Sequence, residues 1–244
     1  MADGDAHRFR FFSTNMGFPG TRVELSTSDA AHLSVLRLAV GDAVELVDAS
    51  GIVWDAQVAA DGLVTLRLPL PIDDARVLPR IDLVAGALVG GRFDELVDGA
   101  VQAGASSVRP FVGNRKDAAR LTERQERLQR IATAAAKQAK RREVPHVAAP
   151  IDRAALLQGA PGIVLDADAE PTLMALLQDD ARPHPEQTGV GWTLLVGPAE
   201  GFAPELIREL VAAGWRAARL GPTVLRAELA AAVAVAMVAT HAAR

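Results

Sequence analysis

The sequence predicts a two-domain protein of the α/β class: a small β-rich barrel followed by a parallel sheet covered by helices. Three observations carry this. Before residue 70, short apolar or alternating runs are separated by Gly-Asp, Ser-Gly and Asp-Gly turns. From residue 81 onward, strand candidates alternate with helical segments. Between the two lies Pro69 to Pro79, with three prolines and two adjacent aspartates, which marks a linker. We place the domains at 1–72 and 73–244.

Taken in order, residues 7–12 and 22–25 are short strands, and a helix runs from Ser28 to about Leu38. Residues 43–47 alternate after Gly41-Asp42, residues 53–58 follow Ser50-Gly51, and residues 64–68 follow Asp61-Gly62. The second domain reads as strands at 81–88, 107–112, 162–166, 192–196 and 216–220. Its helices fall at 93–103, 122–142, 171–178, 204–213 and 224–241. Thr122 and Gln125 have the spacing of a capping box for the second of these.

Composition removes several classes of function. With 244 residues, 50% of them hydrophobic, the chain can bury a sizeable core. The absence of Cys excludes disulfide frameworks, thiolate metal sites and cysteine nucleophiles. The five His include no pair at i, i+4, so no metal site is expected. The longest apolar run, Leu229 to Ala239, has 11 residues and reads as a buried helix or an oligomer contact, not a membrane span. The acidic start, Met1 to Asp5, is unlike a signal peptide, and a soluble cytoplasmic protein is expected.

The net charge of −4 hides an uneven distribution. Residues 109–146 hold eleven Lys or Arg against four Asp or Glu, a local +7. Charges act over about a Debye length, so such a segment can bind nucleic acid on an acidic protein. On a helix, Leu128, Ile131, Ala132, Ala135 and Ala139 share one face, while Arg127, Arg130, Lys137 and Arg141 gather on another. An outward basic stripe suits phosphates, and it equally suits a solvated face.

In a parallel sheet, ligands bind beyond the carboxyl ends of the strands. Two loops there share one pattern. Residues 193–196 lead into Gly197-Pro198-Ala199-Glu200-Gly201, and Arg219-Leu220 leads into Gly221-Pro222-Thr223-Val224-Leu225-Arg226. Glycine lets backbone groups approach a ligand, and proline stiffens the turn. Side by side the two could cradle an adenosine-like group; separately they are ordinary turns. Gly86, Gly90 and Gly91 after the first strand of this domain lack the spacing of a dinucleotide fingerprint.

Together these segments resemble the RsmE family, methyltransferases of the SPOUT superfamily that act on a uridine N3 in small-subunit ribosomal RNA. The likeness covers nearly the whole chain. It is carried by His32 to Leu38 with Gly41-Asp42, by Lys137 to Pro145, by Leu195-Val196-Gly197-Pro198, and most specifically by Leu220 to Arg226. It implies a PUA-like N-terminal barrel for RNA and a SPOUT domain with a trefoil knot. It further implies a homodimer, S-adenosylmethionine as cofactor, and small-subunit ribosomal RNA or the assembled subunit as substrate. Carried over, Leu195, Gly197, Pro198, Gly201, Leu220, Gly221 and Leu225 hold the cofactor. Arg226 steadies the charge on the uracil ring, Glu228 is the candidate base, and Arg8, Arg10, Arg37, Lys140, Arg141 and Arg142 grip phosphates.

This chain departs from the family at Glu200, where glycine is expected. A positive φ at Glu200 would cost on the order of 1 kcal/mol and reshape the loop. Two other readings stay open on the sequence: a non-catalytic RNA-binding or ribosome-assembly protein of the same fold, and a SPOUT enzyme acting on another RNA position.

Overall fold

The computed structural model describes residues 8–60, 62–71, 77–179 and 191–242. His7, Met1 to Asp5 and the middle of the expected linker lie outside them. The chain divides into two compact units, one formed by Met1–Asp74 with Ala136–Glu143, the other by Ala75–Ala135 with Val144–Arg244. The sequence reading gives no hint that residues 136–143 group with the N-terminal unit.

The N-terminal unit is a five-stranded sheet closed over one helix. Its elements are β1 (Arg10–Phe12), β2 (Arg22–Val23), α1 (Thr27–Val35), β3 (Ala43–Val47), β4 (Val53–Val58) and β5 (Val64–Pro69). The strand order is β1-β3-β4-β5-β2. β1 runs parallel to β3, and the other pairs are antiparallel. Alternation aims Val44, Leu46, Trp54, Ala56, Val58, Val64 and Leu66 inward, where they pack with Phe11, Val23, Leu25 and Leu33 of α1. Ser26, not Ser28, caps α1, accepting from the Asp29 N–H at 3.1 Å. The helix stops before Leu38 because Arg37 adopts a left-handed φ of 57°. Leu38 N–H then bonds Leu33 C=O and Arg37 N–H bonds Ser34 C=O, a Schellman end.

The second unit holds β6 (Ile81–Gly86), α2 (Arg92–Ala103), β7 (Ser107–Phe111), α3 (Arg115–Glu123), α4 (Gln125–Gln138), β8 (His146–Val147), α5 (Arg153–Gln158), β9 (Ile163–Leu165), α6 (Leu173–Gln178), β10 (Trp192–Val196), α7 (Pro204–Ala212), β11 (Arg216–Ala218) and α8 (Ala227–Ala242). Six parallel strands run in the order β11-β9-β10-β6-β7-β8. The central strands are mostly apolar, as burial on both faces demands; the exceptions are Asp82 in β6, which accepts from the Ser107 hydroxyl, and Thr193 in β10. α8 packs along α2, where Gly99 and Gly104 leave room for Ala232 and Ala239.

The expected helix over 122–142 is instead two. α3 begins at Asn114, whose side chain accepts from the Asp117 N–H at 2.9 Å. Thr122 is no cap: its hydroxyl donates back to Ala118 C=O within α3, and the Gln125 amide donates to Val147 C=O. The second helix ends at Gln138 because Lys140 turns left-handed at φ 55°. Arg141 N–H to Ala136 C=O and Lys140 N–H to Lys137 C=O complete another Schellman end. No helix among the described residues is long and apolar enough to cross a membrane.

Candidate functional site

The register levels the carboxyl ends of the central strands. Val196 pairs with Ala85, Leu195 with Val164, and Leu165 with Ala218. The loops after β6, β10, β9 and β11 therefore leave one edge of the sheet. Only β9 separates β10 from β11, so the two Gly-Pro loops start about 10 Å apart, two interstrand spacings. That span matches a nucleoside.

The loop after β10 is held rigidly. Gly201 N–H bonds Pro198 C=O at 3.0 Å, and Gly201 takes φ +77°. The left-handed residue is thus the glycine. Among the described residues, Arg37 and Lys140 are the only other side chains with positive φ. Glu200 therefore carries none of the strain feared from its place in the motif. A Cβ at Gly197 would meet Gly201 Cα at 3.2 Å, so the loop closes on itself. Beyond it, Phe202 packs edge-on against Phe111 with ring centroids 5.5 Å apart.

Gly86, the last residue of β6, supports this loop from the next strand. A Cβ there would lie 2.6 Å from Pro198 Cδ and 2.9 Å from the Gly197 carbonyl carbon, and closer still to Pro198 N. The sequence offers Gly86 only as a weak nucleotide-loop signal. Its use is close backbone approach, which no spacing rule would have given.

The loop after β11 is anchored at its start. Arg219 donates from its guanidinium to the carbonyls of Ala169 and Glu170, and its backbone bonds Pro171 and Leu173. A Cβ at Gly221 would meet nothing within 4 Å. Open space beside a glycine on the shared edge suits a ligand that must come close to backbone. Asp166, at the end of β9, accepts from the Asp168 N–H and shapes its own turn. No group of His, Asp or Glu that could hold a metal occurs among the described residues.

The expected cofactor residues divide. Gly197, Pro198, Gly201, Leu220, Gly221 and Leu225 all lie on the two loops, half-buried or exposed. Leu195 does not. Its side chain is fully buried with Val84, Val164 and Leu206, and its position pairs with strands on both sides. It can hold the loop only from below. Arg226 is exposed immediately before α8, with its carbonyl accepting from Ala230 N–H, and Glu228 is half-buried in the first turn. Among the described residues no ion pair joins the two.

Much of the basic stripe bonds within the protein. Arg120 bonds Leu88 C=O, Arg124 bonds Gly90 C=O, and Arg124 and Arg127 both pair with Asp94. These cations fix the loop after β6. Within the N-terminal unit, Lys137 pairs with Asp29, and Lys140 pairs with Glu45 at 3.1 Å and bonds Arg8 C=O. Arg10 bonds Glu45 at 2.9 Å and the carbonyls of Lys140 and Arg141. Arg142 bonds Gly51 C=O at 3.0 Å. Arg141 is buried, where desolvation lowers its pKa against the opposing pull of Glu143. Of the six expected phosphate ligands, Arg8 and Arg37 keep surface access: Arg37 is exposed, and Arg8 is half-exposed and paired with Asp55 at 2.7 Å. Periodicity placed these residues on a helix but could not say what they would meet.

Comparison with known proteins agrees with this layout. Residues 76–239 match a family model described as an RNA methyltransferase domain, and residues 25–68 match an RNA methyltransferase PUA domain. A Synechocystis ribosomal RNA small subunit methyltransferase E is 30% identical over 88% of this chain and 72% of its own length. The Mycobacterium tuberculosis protein of that name is 30% identical over 65% of this chain and 62% of its own. Among solved structures, the ribosomal RNA small subunit methyltransferase E of Neisseria gonorrhoeae, bound to S-adenosyl methionine, superposes with a TM-score of 0.77. It is 26% identical and covers 94% of this chain and 96% of its own. A Legionella pneumophila methyltransferase holding the same cofactor shares the fold at a TM-score of 0.80 and 22% identity.

Proposed function

Since the chain belongs to the ribosomal RNA small subunit methyltransferase E family, we propose that it methylates N3 of a uridine in small-subunit ribosomal RNA, with S-adenosylmethionine as donor. One observation carries the reading. Two glycine-proline loops rise from one sheet edge about 10 Å apart, with open space at Gly221 and a glycine-cradled turn at Gly197 to Gly201.

Bound there, S-adenosylmethionine supplies an electrophilic methyl group on sulfonium. The chain's own residues do the rest. Backbone groups of Gly197, Pro198, Gly201, Leu220 and Gly221 bind the adenosine portion, and the half-buried Leu225 excludes water beside it. Uridine N3 carries a proton at neutral pH, so that proton must leave and the ring must bear negative charge. Arg226 is permanently cationic and exposed, and it faces the ring or its phosphate as the charge develops. Glu228, near it in the first turn of α8, takes the proton. Positioning of N3 in line with the donor supplies much of the rate.

Exposed apolar residues support a homodimer. Val224 is 84% exposed in the loop before α8 and Leu229 51% exposed in its first turn, on a helix that is apolar but for Glu228, Thr240 and His241. A trefoil knot in the second unit and a cytoplasmic location belong to the same reading. Glu200 lacks a positive φ, so the altered loop keeps its shape without backbone strain, which supports the catalytic reading over a non-catalytic relative.

The test is methyl incorporation into small-subunit RNA, with the modified nucleotide mapped by mass spectrometry. Arg226→Ala should fold and bind cofactor normally yet lose methyl transfer by about 100-fold or more. Near-normal turnover removes the role given to Arg226, and a modified ribose in place of N3 removes the assigned position.

A further inference from the structure

The proposed reaction leaves unused an exposed aromatic on the N-terminal unit. Phe18 is 65% exposed, Met16 62% and Leu68 66%. The segment that carries Phe18 and Met16 is pinned. Gly17 N–H donates to Asp48 Oδ2 at 3.1 Å, and a Cβ on Gly17 would strike Leu66 Cδ1 at 2.5 Å and Trp54 Nε1 at 2.9 Å. Ala49 N–H bonds Asn15 C=O, Thr21 N–H bonds Phe18 C=O, and Gly20 N–H bonds Leu66 C=O at 2.8 Å. Met16 and Phe18 therefore project from fixed backbone, and a partner would meet them with little ordering cost.

The surroundings are basic. β2 pairs with β5 so that Arg22 stands opposite Thr65, and continuing the ladder sets Gly20 opposite Arg67. Both arginines are exposed on the outer face. Arg67 lies 3.8 Å from Asp55, which Arg8 already binds at 2.7 Å. No Asp or Glu occurs in residues 9–23 or 62–71. An exposed ring on pinned backbone, in a unit whose outer sheet face carries exposed guanidinium groups, fits a single strand of nucleic acid, which offers a π-face at every base and an anion at every phosphate.

We propose that Phe18 stacks on an unpaired base of single-stranded RNA while the exposed Arg67 holds a neighbouring phosphate. The inference rests on the methyltransferase reading and adds where its substrate is gripped away from the cofactor loops.

The test uses the full chain and a fluorescein-labelled single-stranded RNA of about 12 nucleotides, within the range such sites cover. Phe18→Ala should weaken binding about 5- to 150-fold with little change in salt dependence, the loss of one stacked base. Phe18→Trp should restore affinity, with indole emission quenched by RNA. Arg67→Gln should lower the salt slope by about 0.7. Wild-type affinity in Phe18→Ala overturns the proposal. So does the dissociation of an oligomer by that variant with RNA binding intact, which would mark a protein contact. Methyl transfer by the wild-type chain, measured alongside, separates the two readings. RNA binding through Phe18 without methyl transfer sinks the enzyme assignment alone, and methyl transfer with a neutral Phe18→Ala sinks this one alone.

Discussion

Gly86→Ala tests whether the loop after β10 is shaped by its neighbour strand. The added carbon would lie 2.6 Å from Pro198 Cδ and 2.9 Å from the Gly197 carbonyl carbon. Ordinary carbon contacts lie at about 3.5–4.0 Å, so the loop must retreat by about 1 Å. Neither partner is the free end of a flexible side chain: one is a ring, the other backbone of a turn closed by Gly201. Overpacking of this kind costs about 1–3 kcal/mol, which should lower the melting temperature by about 3–10 °C for a unit of this size. A 1 Å displacement at a binding loop can cost about 100-fold in productive geometry. Calorimetry with S-adenosylmethionine should therefore show a large loss of affinity, while RNA binding by the N-terminal unit stays unchanged. Gly221→Ala is the matched control. Its Cβ meets no protein atom within 4 Å, so stability should hold and only cofactor affinity should fall. Wild-type cofactor affinity in both variants would refute the placement of the pocket.

The pH dependence of the N-terminal unit should have one identifiable source. Burial pushes the Asp48 carboxyl up, but hydrogen bonds from the Ser50 hydroxyl, Trp54 Nε1, Gly17 N–H and Ile52 N–H prevail and hold it at about 2, against 3.8 unperturbed. A depressed carboxylate contributes stability above its unfolded value, so about 2 kcal/mol should vanish as pH falls from about 4 to about 2. Acid melting curves of Asp48→Asn should lack that component. Arg141→Glu should cost about 3–5 kcal/mol, because it reverses a buried charge beside Glu143, and thermal melting will report it. Arg37→Gln, at an exposed position, should leave melting unchanged and lower the salt slope of RNA binding by about 0.7. Leu229→Glu should shift sedimentation toward monomer if the apolar start of α8 joins two copies; an unchanged profile would exclude that face.

What was legible in the sequence had a short-range cause. Strands β3, β4 and β5 announce themselves by alternation and by the glycine turns between them, and each is found where the pattern puts it. The central parallel strands announce themselves by short runs that are apolar but for Asp82 and Thr193. Both glycine-proline loops were visible because a strand, a turn and a helix start sit next to one another in the chain. α3 was missed because its cap, Asn114, is a single residue and its helical face carries one buried side chain, Leu121. Leu195 belongs to the motif because a loop motif includes the strand residues that support it, and the pattern alone does not say that its side chain is in the core.

The partners of the basic segment were illegible for a different reason, and this bears on the RNA track. A charge run states how many cations a surface has, but the physics of binding depends on how many remain without an acidic or carbonyl partner. Asp94 takes Arg124 and Arg127, Asp29 takes Lys137, and Glu45 takes Arg10 and Lys140. All three acids lie thirty or more residues from every one of these cations, beyond any local pattern. Lys140 adds a backbone reason: its left-handed φ ends α4 and turns its carbonyl and that of Arg141 toward Arg10. Lysine there carries a strain that glycine would not, of order 1 kcal/mol, offset by pairing with Glu45. Lys140→Gly should therefore change stability by less than either term alone, while Lys140→Ala, keeping the strain and losing the pair, should destabilise by about 1 kcal/mol. Equal melting of Lys140→Gly and Lys140→Ala would show that the turn is unstrained, and the segment's place in the N-terminal unit would then rest on its ion pairs.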